Sequence, residues 1–156
     1  SRLDLLQVWG EKMNTPIKLV KGSITMCGVD DFRDTLEPEH VVVTLCRWEP
    51  TWYHSDKNER HHYYFRAHNN DPAIWGHALN LVGDLLEADK DVLIHCVHGR
   101  DRTGGVVYML LKMLGMPHDE IFKTMSEARP SQADEWSDRL NRRKMKYDKI
   151  IEEYLN

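Results

Sequence analysis

Little in this sequence points to a secreted, membrane-embedded or repetitive protein. Cysteine occurs only three times, as Cys27, Cys46 and Cys96, with no CxxC pair. That argues against a disulfide scaffold and suits a reducing compartment, cytoplasmic with the nucleus as alternative. No apolar run approaches the roughly 20 residues of a membrane helix, so stable membrane insertion is not expected. The opening SRLDLLQVWGEK lacks the apolar stretch of a signal peptide and reads as a short amphipathic start. Positive charge is not in excess, since the formal net charge is −4; no global field attracts nucleic acid. Repeats, low-complexity tracts and linkers are missing too. The 156 residues therefore predict one domain over 1–156 with a real core, acting as a monomer.

What is present is an alternation of short β-branched runs and helical periodicities. PIKLV and SITMCG read as strands, DDFRDTL as one or two helical turns, and VVVTL (41–45) as a buried strand. Residues 47–60 are polar and aromatic and read as a long surface loop, followed by HHYYF as a strand. Asp71-Pro72 opens a helix, because Asp caps well and Pro suits the first helical position. DVLIHC (91–96) is a buried strand. Helices follow from Thr103 to a stop at Gly115, from His118 to Ala128, and from Ala133 to Leu155. The fold class is α/β, a central and mostly parallel sheet flanked by helices.

The chemistry concentrates in residues 95–104, HCVHGRDRTG. This loop lies between a strand end and a helix start, the edge where ligands bind in α/β folds. Amides of such a loop and of the following helix N-terminus form an anion site. The loop Val97, His98, Gly99, Arg100, Asp101 and Arg102 is the predicted phosphate cradle. Gly99 permits a tight turn, and the planar fork of Arg102 grips two phosphate oxygens at once. Thiols in such electropositive nests ionise at roughly pKa 3.5–7.5, so Cys96 is the expected nucleophilic thiolate.

HCVHGRDRTG resembles the signature loop of the protein-tyrosine and dual-specificity phosphatase superfamily: His-Cys, five residues, Arg, then Ser or Thr. The order of strands and helices along most of the chain resembles the compact dual-specificity domains. The resemblance implies that Cys96 attacks phosphorus to form a phosphocysteine and that Arg102 stabilises the equatorial oxygens. It further implies that Thr103 hydrogen-bonds the thiolate and that His95 tunes it from behind. No cofactor or metal is implied. A family member that binds phosphate without efficient turnover is the alternative.

One part of the pattern is missing. Such enzymes usually take the leaving-group proton from an Asp about thirty residues before the cysteine, and Ala67 falls there, within FRAHNNDPAIW. Two carboxylates remain. Asp101 precedes the signature Arg, as in myotubularin-like phosphoinositide phosphatases. Asp71 lies twenty-five residues before Cys96, where a helix cap is its ordinary role. The resemblance leaves three substrates open: phosphorylated protein as the commonest, phosphoinositide because of Arg100, and an RNA 5′ end because HCVHG resembles the capping triphosphatase loop. Trp48, Trp52 and Tyr53 are candidates for the pocket entrance, though ordinary packing is the commoner fate of such aromatics. The basic run RLNRRKMK (139–146) reads as a solvated helix face rather than a contact. His61, His62 and His68 lie close together but lack a partner at ligand spacing, so no metal is expected. Cys27 or Cys46 could pair with Cys96 on oxidation if the fold brings them together.

Overall fold

The computed structural model describes residues 13–50, 53 and 57–155. The amphipathic start and Trp52 lie outside them. Five strands form one sheet: β1 (Ile17–Lys18), β2 (Ser23–Cys27), β3 (His40–Thr44), β4 (Arg60–His62) and β5 (Asp91–His95), in the order β1-β2-β5-β3-β4. Only the β1–β2 pairing is antiparallel; the other three are parallel. Among the described residues the sheet is joined by five α-helices: α1 (Phe32–Thr35), α2 (Pro72–Glu87), α3 (Asp101–Met113), α4 (His118–Ala128) and α5 (Ala133–Leu155).

The chain returns after α2 to insert β5 between β2 and β3. β5 is thereby paired on both edges, and its residues from Val92 to His95 are buried, as a central parallel strand requires. Alternate side chains serve opposite faces of the sheet. Val92 and Ile94 join the large cluster under the helices, with Trp75, Tyr108, Trp136 and Tyr147. Leu93 turns to a smaller cluster with Cys27, Phe32, Val42 and Tyr53. Helices thus cover one face, and α1 with Trp48 and Tyr53 covers the other. Cys96 leaves the carboxyl end of this central strand.

Two boundaries have visible causes. α2 begins where Asp71 accepts a hydrogen bond from the Ala73 amide at 2.9 Å, with Pro at the first turn. α3 ends before Gly115, at φ +91°, which a side chain would strain. The strand expected at HHYYF instead runs Arg60–His62. His62 is already opposite Thr44, the last residue of β3, so no ladder remains for Tyr64 and Phe65 despite their β propensity.

Candidate active site

The site is assembled from the ends of three parallel strands. His95 ends β5, and residues 97–100 turn over the strand ends before Asp101 opens α3. The turn is fixed from below. The Val29 amide donates to the Val97 carbonyl at 2.9 Å. Gly99 sits at φ +66°, and a Cβ there would lie 2.5 Å from the Cys27 carbonyl oxygen. No side chain fits between this loop and β2.

A buried arginine ties the loop to the fold. Arg129, at the end of α4, donates through Nη2 to the His98 carbonyl at 3.1 Å. Its Nη1 is paired with the Asp31 carboxylate and donates to Asn14 Oδ1 at 3.0 Å. The Gly28 amide in turn donates to Asp31 Oδ1 at 2.7 Å. Burial alone would raise the Asp31 carboxyl, but Arg129, Asn14 and that amide hold it below its ordinary value.

Cys96 is buried, with 2% of its surface exposed, under the amide-rich loop. Arg102 directs Nη1 to the carbonyls of Leu45 (3.1 Å) and Phe65 (3.2 Å). Its remaining guanidinium nitrogens make no hydrogen bond among the described residues, which leaves donors for an anion. The Thr103 hydroxyl is buried without a hydrogen-bond partner, an unspent donor in the first turn of α3. Arg100 stands at the N-cap of that helix. The first amides of α3 lack intrahelical partners, as at any helix start.

His95 lies wholly inside. Its Nε2 is 2.8 Å from the Thr44 hydroxyl, and its ring meets those of Phe32 and Trp48 at centroid distances of 4.8 and 5.4 Å. Burial pushes its imidazole down to about 4, only partly offset by the Cys96 backbone. Trp48 and Tyr53 both pack on Phe32 behind the site. Cys27 and Cys46 flank the same strand end, since Cys27 is in register with His95 and the Leu45 amide donates to the His95 carbonyl. Burial raises both thiols, Cys46 to about 11. All three cysteines are free thiols.

The two candidate acids sit differently. Asp101 is half-buried in the first turn of α3. Its Oδ1 accepts from Arg139 Nη1 at 3.0 Å and faces Arg143 Nη2 at 3.7 Å. Asp71 is exposed and occupied as the cap of α2. Ala67 is nevertheless close to the site's edge, because Lys146 donates to its carbonyl at 3.0 Å while lying over the Trp75 ring. The run 139–146 is therefore divided. Arg139, Arg143 and Lys146 turn towards the site's rim, and Arg142 pairs outward with Asp138. His61 and His62 are committed to Glu59 and to the Cys46 carbonyl.

Asp31, Thr44, Arg60 and Arg129 carry no motif in the sequence, and the basic run 139–146 reads there as a solvated face. The only local signal was Arg129 itself, a cation at a helix end directly before Pro130.

Comparisons with known proteins agree with this geometry. One curated relative, the triple specificity protein phosphatase PtpB of Mycobacterium tuberculosis, is 48% identical over 44 residues, or 28% of this chain. The matched stretch is 16% of that protein's length. A crystal structure of a mutant form of Tk-PTP superposes with a TM-score of 0.59 at 18% identity, covering 89% of this chain and 95% of the other. A human DUSP28 variant gives 0.58 at 14% identity, covering 90% and 98%. These two likenesses establish the fold. The tyrosine phosphatase family model matches residues 29–155, and on that match the chain belongs to the tyrosine phosphatase family.

Proposed function

We propose that this protein hydrolyses phosphate monoesters through a phosphocysteine at Cys96, with phosphorylated protein as the principal substrate. The observation that carries the reading is the loop from Cys96 to Arg102, held rigidly between a central strand and a helix N-terminus. The substrate phosphate enters the amide nest, and Arg102 takes two of its oxygens. The Cys96 thiolate attacks phosphorus, the ester P–O bond breaks, and the leaving oxygen takes a proton from a carboxylic acid. Water then attacks the phosphocysteine and gives one of its own protons to the carboxylate; the S–P bond breaks, regenerating the Cys96 thiolate and releasing inorganic phosphate. Asp101 is the carboxylate we assign to this role, with Asp71 as the alternative. Thr103 has the free hydroxyl needed to assist the departing sulfur. Three free thiols fit a reducing, cytoplasmic setting, and the protein acts as a monomer.

A second reading is favoured by the cationic rim. Arg100, Arg139, Arg143 and Lys146 suit a substrate with further phosphates, such as a phosphoinositide. Phosphopeptides, phosphoinositides and triphosphate-ended RNA assayed side by side separate the readings.

The defining experiment uses an aryl phosphate. Cys96→Ser abolishes turnover and retains phosphate binding, because the nest and Arg102 remain. Vanadate, which mimics five-coordinate phosphorus, inhibits the unmutated enzyme. Normal turnover in Cys96→Ser defeats the mechanism. A wild-type protein that binds phosphate but turns nothing over is a binding module.

A further inference from the structure

The strand behind the nucleophile carries a hydrogen-bond chain whose direction can be worked out. Thr44 is fully buried, and its hydroxyl has one hydrogen to give and two lone pairs to fill. It has two partners. Arg60 Nε donates to it at 3.2 Å, and His95 Nε2 lies at 2.8 Å. A guanidinium cannot accept a hydrogen bond. The Thr44 hydrogen therefore has a single acceptor in reach, His95 Nε2. If Nε2 held the proton instead, a buried hydroxyl hydrogen would have no acceptor, which is unfavourable.

We propose that Arg60 and Thr44 are positioning residues that hold His95 in its Nδ1–H tautomer. In that form the ring presents a proton towards the backbone of the cysteine that does the chemistry. This rests on the reading of Cys96 as nucleophile. Nδ1 is buried with no hydrogen-bond partner among the described residues, and the Cys96 backbone next to the ring favours a proton on it. A proton directed at the Cys96 carbonyl orients the peptide that follows. Carbonyl and amide point opposite ways across a planar peptide, so the Val97 N–H is turned towards the anion nest.

Arg60 is well built for this task. Its side chain is 7% exposed. Nη2 donates to the Trp48 carbonyl at 2.7 Å, Nη1 pairs with Glu49 at 3.1 Å, and the guanidinium lies 5.1 Å from the Tyr53 ring centroid. The Trp48 ring in turn packs on His95. Arg60 thus couples the segment after β3 to the histidine through both a hydrogen bond and a ring contact. Its charge also opposes a second proton on the imidazole. The other titratable or charged groups around this pair are Cys27 at the end of β2, Asp31 after it, Cys46 after β3, His62 on β4, Cys96 after β5, and Arg102 on α3.

The test reads the tautomer directly, by two-bond ¹⁵N–¹H correlation of the imidazole in the full-length protein. The expected result is Nδ1–H for His95 in the unmutated chain. Thr44→Val removes the donor, mixes the tautomers, and moves the acid limb of kcat/KM for an aryl phosphate to higher pH. A one-unit move lowers kcat/KM about tenfold on the acid side. Thr44→Ser keeps the hydroxyl and restores both readings, which a merely structural role for the methyl group would not do. Arg60→Met moves both readings in the same direction as Thr44→Val. An Nε2–H tautomer in the unmutated protein overturns the proposal, even if no variant folds. So does Thr44→Val with an unchanged spectrum and pH limb. Because the spectrum needs no turnover, its outcome is separate from that of the Cys96→Ser assay.

Discussion

Asp101 and Asp71 make different commitments, and those commitments separate their expected effects. Asp101 spends Oδ1 on two arginines of α5, whereas Oδ2 makes no hydrogen bond among the described residues. Asp71 spends Oδ1 on the Ala73 amide. We predict that Asp101→Asn slows an alkyl phosphate by roughly 10²–10⁴-fold, the usual worth of a general acid, and an activated aryl phosphate far less. Asp71→Ala costs about 1 kcal/mol of stability through its cap and shows no leaving-group dependence. Steady-state rates on a series of leaving groups check both; a steep dependence at Asp71 would reverse the assignment. His95 gives a pH prediction. Its folded value of about 4 is below its ordinary 6.5, so the unfolded chain binds a proton that the folded chain refuses. The resulting stability is present above about pH 6.5 and is lost as pH falls towards 4. The span amounts to roughly 3 kcal/mol. Urea titrations at pH 7 and pH 4.5 should show this loss, reduced in His95→Gln.

Much of the secondary structure was legible because its signals are local. Gly115 and Asp71-Pro72 each announce a boundary through the conformations they permit. The strand expected at HHYYF ran past the end of β4 because β4's extent is set by where β3 ends, which no residue in HHYYF encodes. The loop itself was legible because thiol, arginine and glycines stand within ten residues. Its tether was not. Asp31 and Arg129 are 98 residues apart, and each alone reads as a surface charge. Arg129 joins the end of α4 to the loop after β2 and to the phosphate loop, so its removal frees the His98 carbonyl and strands Asp31. Arg129→Met is expected to cost about 1.5–3 kcal/mol, the range for hydrogen bonds to charged groups. Turnover should fall further than stability accounts for, because the anion nest loosens. Denaturant melts combined with phosphate affinity measure the two effects; unchanged phosphate affinity would confine Arg129 to a structural role.

Charge is distributed unevenly through the fold. The chain carries a net −4, yet five cations (Arg100, Arg102, Arg139, Arg143 and Lys146) surround or border the phosphate loop. α5 supplies three of them. It is anchored by buried Trp136, Leu140, Tyr147 and Ile150, so their placement is fixed by packing rather than by solvent. The basic run had read as a solvated face because nothing in 139–146 shows which side meets α3. A local positive field within an acidic protein steers anions by long-range attraction that salt screens. kcat/KM for a multiply charged substrate should therefore fall as ionic strength rises from about 0.01 to 0.15 M, more than for a singly phosphorylated aryl ester. Equal salt dependence for both would place the α5 cations outside the substrate's reach.

The segment 65–67 is gripped by its main chain: Arg102 takes the Phe65 carbonyl and Lys146 the Ala67 carbonyl. Every residue type has a carbonyl, so this grip is indifferent to the side chains at 66 and 67. Position 67 can consequently exchange its side chain without breaking this contact. A carboxylate can be lost from it, or regained in a single substitution, without releasing the segment from the site. On the reading proposed above, Ala67→Asp would therefore add a second proton donor without disturbing the main-chain contacts that hold the segment.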